Sequence, residues 1–158
     1  MDPNRKGVVI GGVVTAISTG LIFLLPALVP VREFKLAVYQ LTGEWMFGNP
    51  LAQFRLLGGI PGGFVGGYFA RDHFGSVKRG NSMTVGVYAT GTGLLAVLLF
   101  VVLFNVYSAT VTRGIVPPPI YLIVVVPLIA TVPLFPAYLV EGLVFGYLAG
   151  ALQTVRAG

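Results

Sequence analysis

Apolar residues run along this chain in stretches too long for a strand or for the core face of a soluble helix. Residues 7–31 and 80–112 hold no charged side chain, over 25 and 33 positions respectively. A helix needs about 20 mostly apolar residues to cross about 30 Å of hydrocarbon. On that criterion four spans are predicted, over residues 7–29, 51–70, 84–107 and 120–152. A straight helix over the last region would reach about 50 Å. A single kinked crossing, mainly over 132–152, is therefore expected, because Pro127, Pro133 and Pro136 each remove a backbone donor. Between the first two spans, Phe34, Val38, Leu41 and Trp45 recur at three- and four-residue steps. That spacing predicts a short helix within 31–50 lying in the interface, with Trp45 at the headgroup level. A polar loop over 71–82 and a loop over 108–119, ending in three prolines, complete the chain. The expected fold class is an all-α membrane protein: one membrane domain over residues 1–158, built as a four-transmembrane-helix bundle.

Composition strengthens this reading. Of the 158 residues, 56% are hydrophobic and 9% charged, and the mean hydropathy is +0.90. Soluble domains carry about 25% charged residues, so this chain cannot cover a globular surface with polar groups. The absence of cysteine excludes a disulfide scaffold, a thiolate metal site and a cysteine nucleophile. The net charge of +5 comes without a dense basic run, so no nucleic-acid partner is expected. The basic residues instead set orientation. Arg5, Lys6, Arg71, Lys78, Arg79 and Arg156 belong to the termini and the 71–82 loop. Arg32, Lys35 and Arg113 lie in the other two loops, beside Glu33 and Glu44, and Arg55 lies near the outer end of the second span. Both termini are expected in the cytoplasm, with Arg71, Lys78 and Arg79 placed to attract lipid headgroups. The first apolar run is too long for a signal peptide, and no small-x-small site follows it, so it reads as an uncleaved span.

The second span carries three glycine pairs: Gly58 and Gly59, Gly62 and Gly63, Gly66 and Gly67. Two adjacent rows at four-residue spacing give this helix a flat face that admits another backbone. Gly142, Gly146 and Gly150 repeat the spacing in the fourth span. Small residues let membrane helices gain close van der Waals contact. Packing within one chain, packing between subunits, and a glycine-lined pore or a hinge at Pro61 all fit these rows.

The two spans also echo each other. Gly63-Phe-Val-Gly-Gly-Tyr-Phe-Ala70 aligns with Gly142-Leu-Val-Phe-Gly-Tyr-Leu-Ala149 at an offset of 79, and the same offset aligns Gly7 with Gly86 and Gly12 with Gly91. Repeat halves over 1–79 and 80–158 would be two tandem two-span hairpins, related by a pseudo-twofold axis along the membrane normal.

Glu141 is the one acidic residue well inside a span, where a carboxylate is costly unless paired, protonated or functional. Arg55 is its natural partner in sequence, and an Arg55–Glu141 pair would lock the second span to the fourth. A proton or cation site at Glu141 is the functional alternative. Other patterns lack the context their chemistry needs. Gly91-Thr-Gly93-Leu-Leu-Ala96 has the letters of a dinucleotide fingerprint, but no strand precedes it. Asp72-His73 lies in a short basic loop, where a lone histidine is usually solvated. No Ser/His/Asp set, nucleophile elbow or metalloprotease helix is present. No catalytic residue, metal site or cofactor is expected, and enzymatic activity is not.

The Gly-Gly-Phe-Val-Gly-Gly-Tyr-Phe-Ala segment, its polar loop and the following apolar span resemble small four-span membrane proteins of archaea, mostly haloarchaea, a family of unknown function. The resemblance covers residues 58–103 and, faintly, 142–151. The chain is also broadly similar to small multi-span proteins of archaeal enveloped viruses. These resemblances imply a cell membrane or a viral envelope membrane as the location, and supply no site residue. The expected function is that of a non-enzymatic, oligomerising structural or accessory subunit, with the lipid bilayer and a second copy or another membrane protein as partners. A small channel or transporter using Glu141 and the glycine faces is the alternative.

Overall fold

The computed structural model describes residues 2–28, 32, 33, 36, 54–71, 78–112 and 125–157. Every regular element among them is helical: α1 (Pro3–Leu28), α2 (Ile60–Phe69), α3 (Arg79–Tyr107), α4 (Val126–Thr131) and α5 (Leu134–Ala157). A 3-10 turn over Phe54–Leu57 leads towards α2, and a π-helical segment over Ser108–Thr112 continues α3. Three of these helices are long and apolar enough to cross a membrane, over Pro3–Phe23, Arg79–Tyr107 and Leu134–Arg156. Apart from Arg32, Glu33 and Leu36, the interfacial helix expected within 31–50 lies outside the described residues, as do Asp72-His73 and most of the proline-rich loop.

The expected second span is the one that differs. Its α-helix occupies only ten residues, about 15 Å. Gly58 and Gly59 form a turn, and Pro61 sits in the first helical turn. The absent proline N–H is harmless there, and its fixed φ favours starting a helix. At the other end Ala70 is extended (φ −65°, ψ 137°) and its N–H closes on the Gly67 carbonyl at 3.2 Å.

The kink expected in the fourth region is a break between α4 and α5 at Val132 and Pro133. Pro133 cannot donate to the preceding turn, and Phe135 N–H instead bonds the Val132 carbonyl at 3.2 Å. Pro127 and Pro136 fall in the first turns of α4 and α5, where a backbone N–H has no intrahelical acceptor. One proline of the three therefore produces the break.

The helices alternate in direction, with α1 and α3 parallel to each other and antiparallel to α2 and α5. Helix α2 packs against α1, α3 and α5, and α3 packs against α1 and α5. Helices α1 and α5 face each other across the bundle. Close approach is made by glycine. A Cβ at Gly67 would lie 2.6 Å from Gly146 Cα, and one at Gly63 would lie 2.9 Å from Gly142 Cα. On the other flank, a Cβ at Gly11 would lie 2.9 Å from Gly66 Cα and 2.7 Å from Ala89 Cβ. Gly7 of α1 sits on the Gly66 carbonyl, and Gly86 of α3 sits on Gly142 and Gly146.

Candidate functional site

The head of α2 lies inside the bundle, opposite Ser18 and Thr19 of α1. Those residues are about 22 Å along α1 from Asn4, with about 14 Å of helix still to run. A chain that turns into a helix at this depth exposes backbone groups that the helix cannot satisfy. Side chains from both flanking helices meet them. The Ser18 hydroxyl donates to the Gly58 carbonyl at 2.6 Å. The Gly59 N–H donates to Glu141 Oε2 at 2.8 Å. Tyr138, one turn before Glu141 and fully buried, shares a 2.8 Å hydrogen bond with buried Thr19. Side chains at Gly58 or Gly59 would collide with Tyr138 and with Glu141.

The arrangement explains why Glu141 belongs here. Its carboxylate accepts from the N-cap residue of α2, at the positive end of that helix dipole. Among the described residues its partner is a backbone amide; the side chain of Arg55, its expected partner, lies outside them. Nearby, the Thr90 hydroxyl bonds the Val87 carbonyl of its own helix at 3.0 Å. Thr15, fully buried against Gly62 and Gly93, has a hydroxyl with no hydrogen-bond partner among the described residues, as does that of Ser82.

A second polar cluster closes the end of the bundle where α1 and α3 begin and α2 and α5 finish. Arg71 Nη1 reaches the carbonyls of Tyr68 (3.0 Å) and Ala70 (2.7 Å) and the Gln153 side-chain oxygen (2.7 Å). Arg71 N–H donates to Asn4 Oδ1 at 2.9 Å. The Asn81 amide donates to the Arg71 carbonyl, and the Gln153 amide to the Tyr68 carbonyl. Four segments are joined in this way, and the guanidinium lies at the negative end of α2, complementary to Glu141 at its positive end.

The residues singled out by sequence divide accordingly. Gly58 and Gly59 form the turn beside Tyr138 and Glu141. Gly62 faces α1, Gly66 faces the seam of α1 and α3 at Ala89 and Gly7, and Gly63 and Gly67 face α5. Gly142, Gly146 and Gly150 face α3, at Thr90 and Gly86, at Ser82, and at Ser82 and Arg79. Arg71 is half-buried in the end cluster. Lys78 and Arg79 are exposed, Arg79 lying 5.6 Å over the Tyr147 ring and donating to its hydroxyl at 3.1 Å.

Sequence reasoning missed Ser18, Thr19, Tyr138, Asn4, Asn81 and Gln153. Part of the signal was available. Thr15, Ser18 and Thr19 are polar at helical spacing within a charge-free run, which marks one inward face. Tyr138 precedes Glu141 by three residues, on the same face.

Chemically, the head of α2 brings together a carboxylate, a phenol and three aliphatic hydroxyls within an apolar bundle. Such groups can hold backbone amides and carbonyls, and a carboxylate can also take up and release a proton. Compared with known proteins, the chain matches no family model, no curated protein and no solved structure.

Proposed function

We propose that the chain is a non-enzymatic, multi-pass membrane protein acting as a structural or accessory subunit. In this reading the turn and α2 together make the second crossing of a four-helix bundle, and the polar end cluster faces the cytoplasm with both termini. The observation that carries the proposal is the division between inside and outside. The glycine rows are buried in contacts within the chain, while large apolar side chains such as Phe100 (67% exposed), Val140 (61%) and Val155 (75%) point outward. In water such a surface would aggregate; in a bilayer it meets lipid or another subunit.

Assembly would then use an outer apolar face, with the glycine rows holding each protomer together. The outward row of α5, with Val140, Val144 and Leu148 at helical spacing, is a face that a second copy or another membrane protein can use. Native mass measurement in lipid tests this. A fixed multimer that dissociates on Val144→Trp, with helix content unchanged, is the expected result. A wild-type protein that is monomeric at all lipid ratios overturns assembly as a homo-oligomer.

A second reading, proton or cation transport, is favoured by one observation: Glu141 lies inside the bundle, at the head of a helix that begins there. Transporters place ion sites at such broken helices. Proton or sodium flux into liposomes, abolished by Glu141→Gln in a folded protein, would support it. Wild-type liposomes without flux remove it.

A further inference from the structure

A continuous groove follows the seam between α1 and α3 on the outside of the bundle. It begins at the end that holds the termini, in a cavity of about 430 Å³ lined by Asp2, Arg5, Asn81, Thr84 and Tyr88 among others. Val8 and Val9 pass from that cavity into a middle section of about 340 Å³. Ala16, Ile17 and Ala96 join the middle section to a wider section of about 650 Å³, bounded by Gly20, Phe23, Phe100 and Phe104. Polarity therefore falls along the groove, from a mouth that holds Arg5 and Asp2 among polar side chains to an apolar far section.

We propose that this groove binds one anionic glycerophospholipid. Its phosphate sits at Arg5, and one acyl chain runs between α1 and α3 towards Gly20. The proposal rests on the membrane reading above, and is independent of whether the protein assembles or transports.

Three observations select this occupant over a partner helix. The first is charge. Arg5 is exposed and has no hydrogen-bond or ion-pair partner among the described residues. The acid at the mouth, Asp2, accepts the Asn4 N–H at 3.2 Å. Lys6, the other basic residue nearby, is drawn aside over the Phe69 ring at 5.4 Å. The Arg5 guanidinium, unpartnered among the described residues, lines the mouth together with the Tyr88 hydroxyl and matches a phosphodiester, which it can bind in bidentate fashion. The second is order. An amphiphile with one anionic end fits a groove that is polar at one end only, whereas a spanning helix needs no such gradient. The third is length. From Arg5 to Ala16 the seam runs about 16 Å, close to half of a hydrocarbon core of about 30 Å. A lipid with its phosphate at Arg5 therefore brings its tail to the junction where the groove widens.

Sequence explains the groove's floor. Ala16 and Ala96 are the small residues that line both the middle and the wide sections. Among the described residues, no atom beyond its own stretch of α1 lies within 4 Å of where a Cβ of Gly20 would stand, so here a glycine leaves space open where others close a contact.

The test is native mass spectrometry of the full chain, titrated in detergent with palmitoyl-oleoyl phosphatidylglycerol or the matching phosphatidylcholine. One phosphatidylglycerol should remain bound per chain, with about a fivefold preference over phosphatidylcholine, the value expected for one basic residue near an anionic group. Arg5→Gln should reduce that preference to near unity while both lipids still bind. Ala96→Phe and Gly20→Leu should each weaken both lipids at least fivefold at unchanged helix content. If one of these two variants fails to fold, the other carries the test. Equal retention of the two lipids by the wild-type protein overturns the proposal. So does undiminished binding to the filled-groove variants, or a lipid-free dimer in which a second copy protects the groove.

Discussion

The bundle has two ends built on opposite principles. At the end holding the termini, glycines bring backbones together: Gly11 against Gly66, Gly63 against Gly142, Gly67 against Gly146. Asn4, Arg71, Asn81 and Gln153 then tie those helices with side-chain hydrogen bonds. At the far end α2 is absent and large side chains replace glycine. Leu94, Leu134 and Tyr138 form a small apolar core there, with Phe23 and Phe135 against it, while Phe100 and Phe104 stack outside. Small residues act in two ways: glycines that face another backbone close a seam, whereas Ala16, Gly20 and Ala96 floor an open groove. The polar turn at Gly58 and Gly59 marks the boundary between the two regimes. A glycine's importance here depends on which helix it meets, which its spacing alone does not reveal.

The sharpest way to break this contrast is at Gly67. A Cβ there meets the Gly146 backbone at 2.6 to 3.0 Å, and backbone cannot rotate away. Gly67→Ala should destabilise the protein by about 3 kcal/mol, at the upper end for overpacking. Unfolding in mixed detergent micelles reads this out; a change below about 1 kcal/mol would mean that the two helices are not in backbone contact.

The next effect lies at the boundary. Glu141→Ala leaves the Gly59 N–H unpaired inside the bundle and should cost about 2 kcal/mol. Glu141→Gln retains an acceptor oxygen and should cost less than half of that. Equal losses in the two variants would assign the role of Glu141 to its charge and not to the Gly59 bond.

A smaller loss, about 1 kcal/mol, is expected for Tyr138→Phe, which removes one buried hydrogen bond to Thr19. The double variant Tyr138→Phe/Thr19→Val should recover part of it, because both polar partners are then gone. Additive losses would show that the two hydroxyls act independently.

At the bottom of the scale is Gly20→Ala, in the open groove. Stability should change by no more than about 0.5 kcal/mol. A loss comparable with that of Gly67→Ala would erase the distinction between the two ends.

Much of this was legible in sequence. Charge-free runs located the helices that became α1 and α3, and an apolar region interrupted by Glu141 located α5, because a helix satisfies its own backbone in hydrocarbon and needs no further local signal. The proline content predicted a break in the fourth region, although only position 133 produces it. Glycine spacing predicted close packing. The backbone partners that Glu141 and Arg71 have among the described residues were not legible. Each meets backbone groups at an end of α2, and a backbone amide has no letter in the sequence. Ion pairing and headgroup contact were the roles that residue types alone could suggest.

Local sequence alone located three long apolar helices and the small-residue faces that permit contact, but not the ten-residue length of the α-helix in the second region or the division of the fourth into two helices. The long helices and the faces follow from local composition and helical period. Tertiary structure decided which faces meet, where α2 begins, and which glycine leaves a groove in place of a seam. Those outcomes depend on how four segments fit side by side, and such a fit depends on several helices at once.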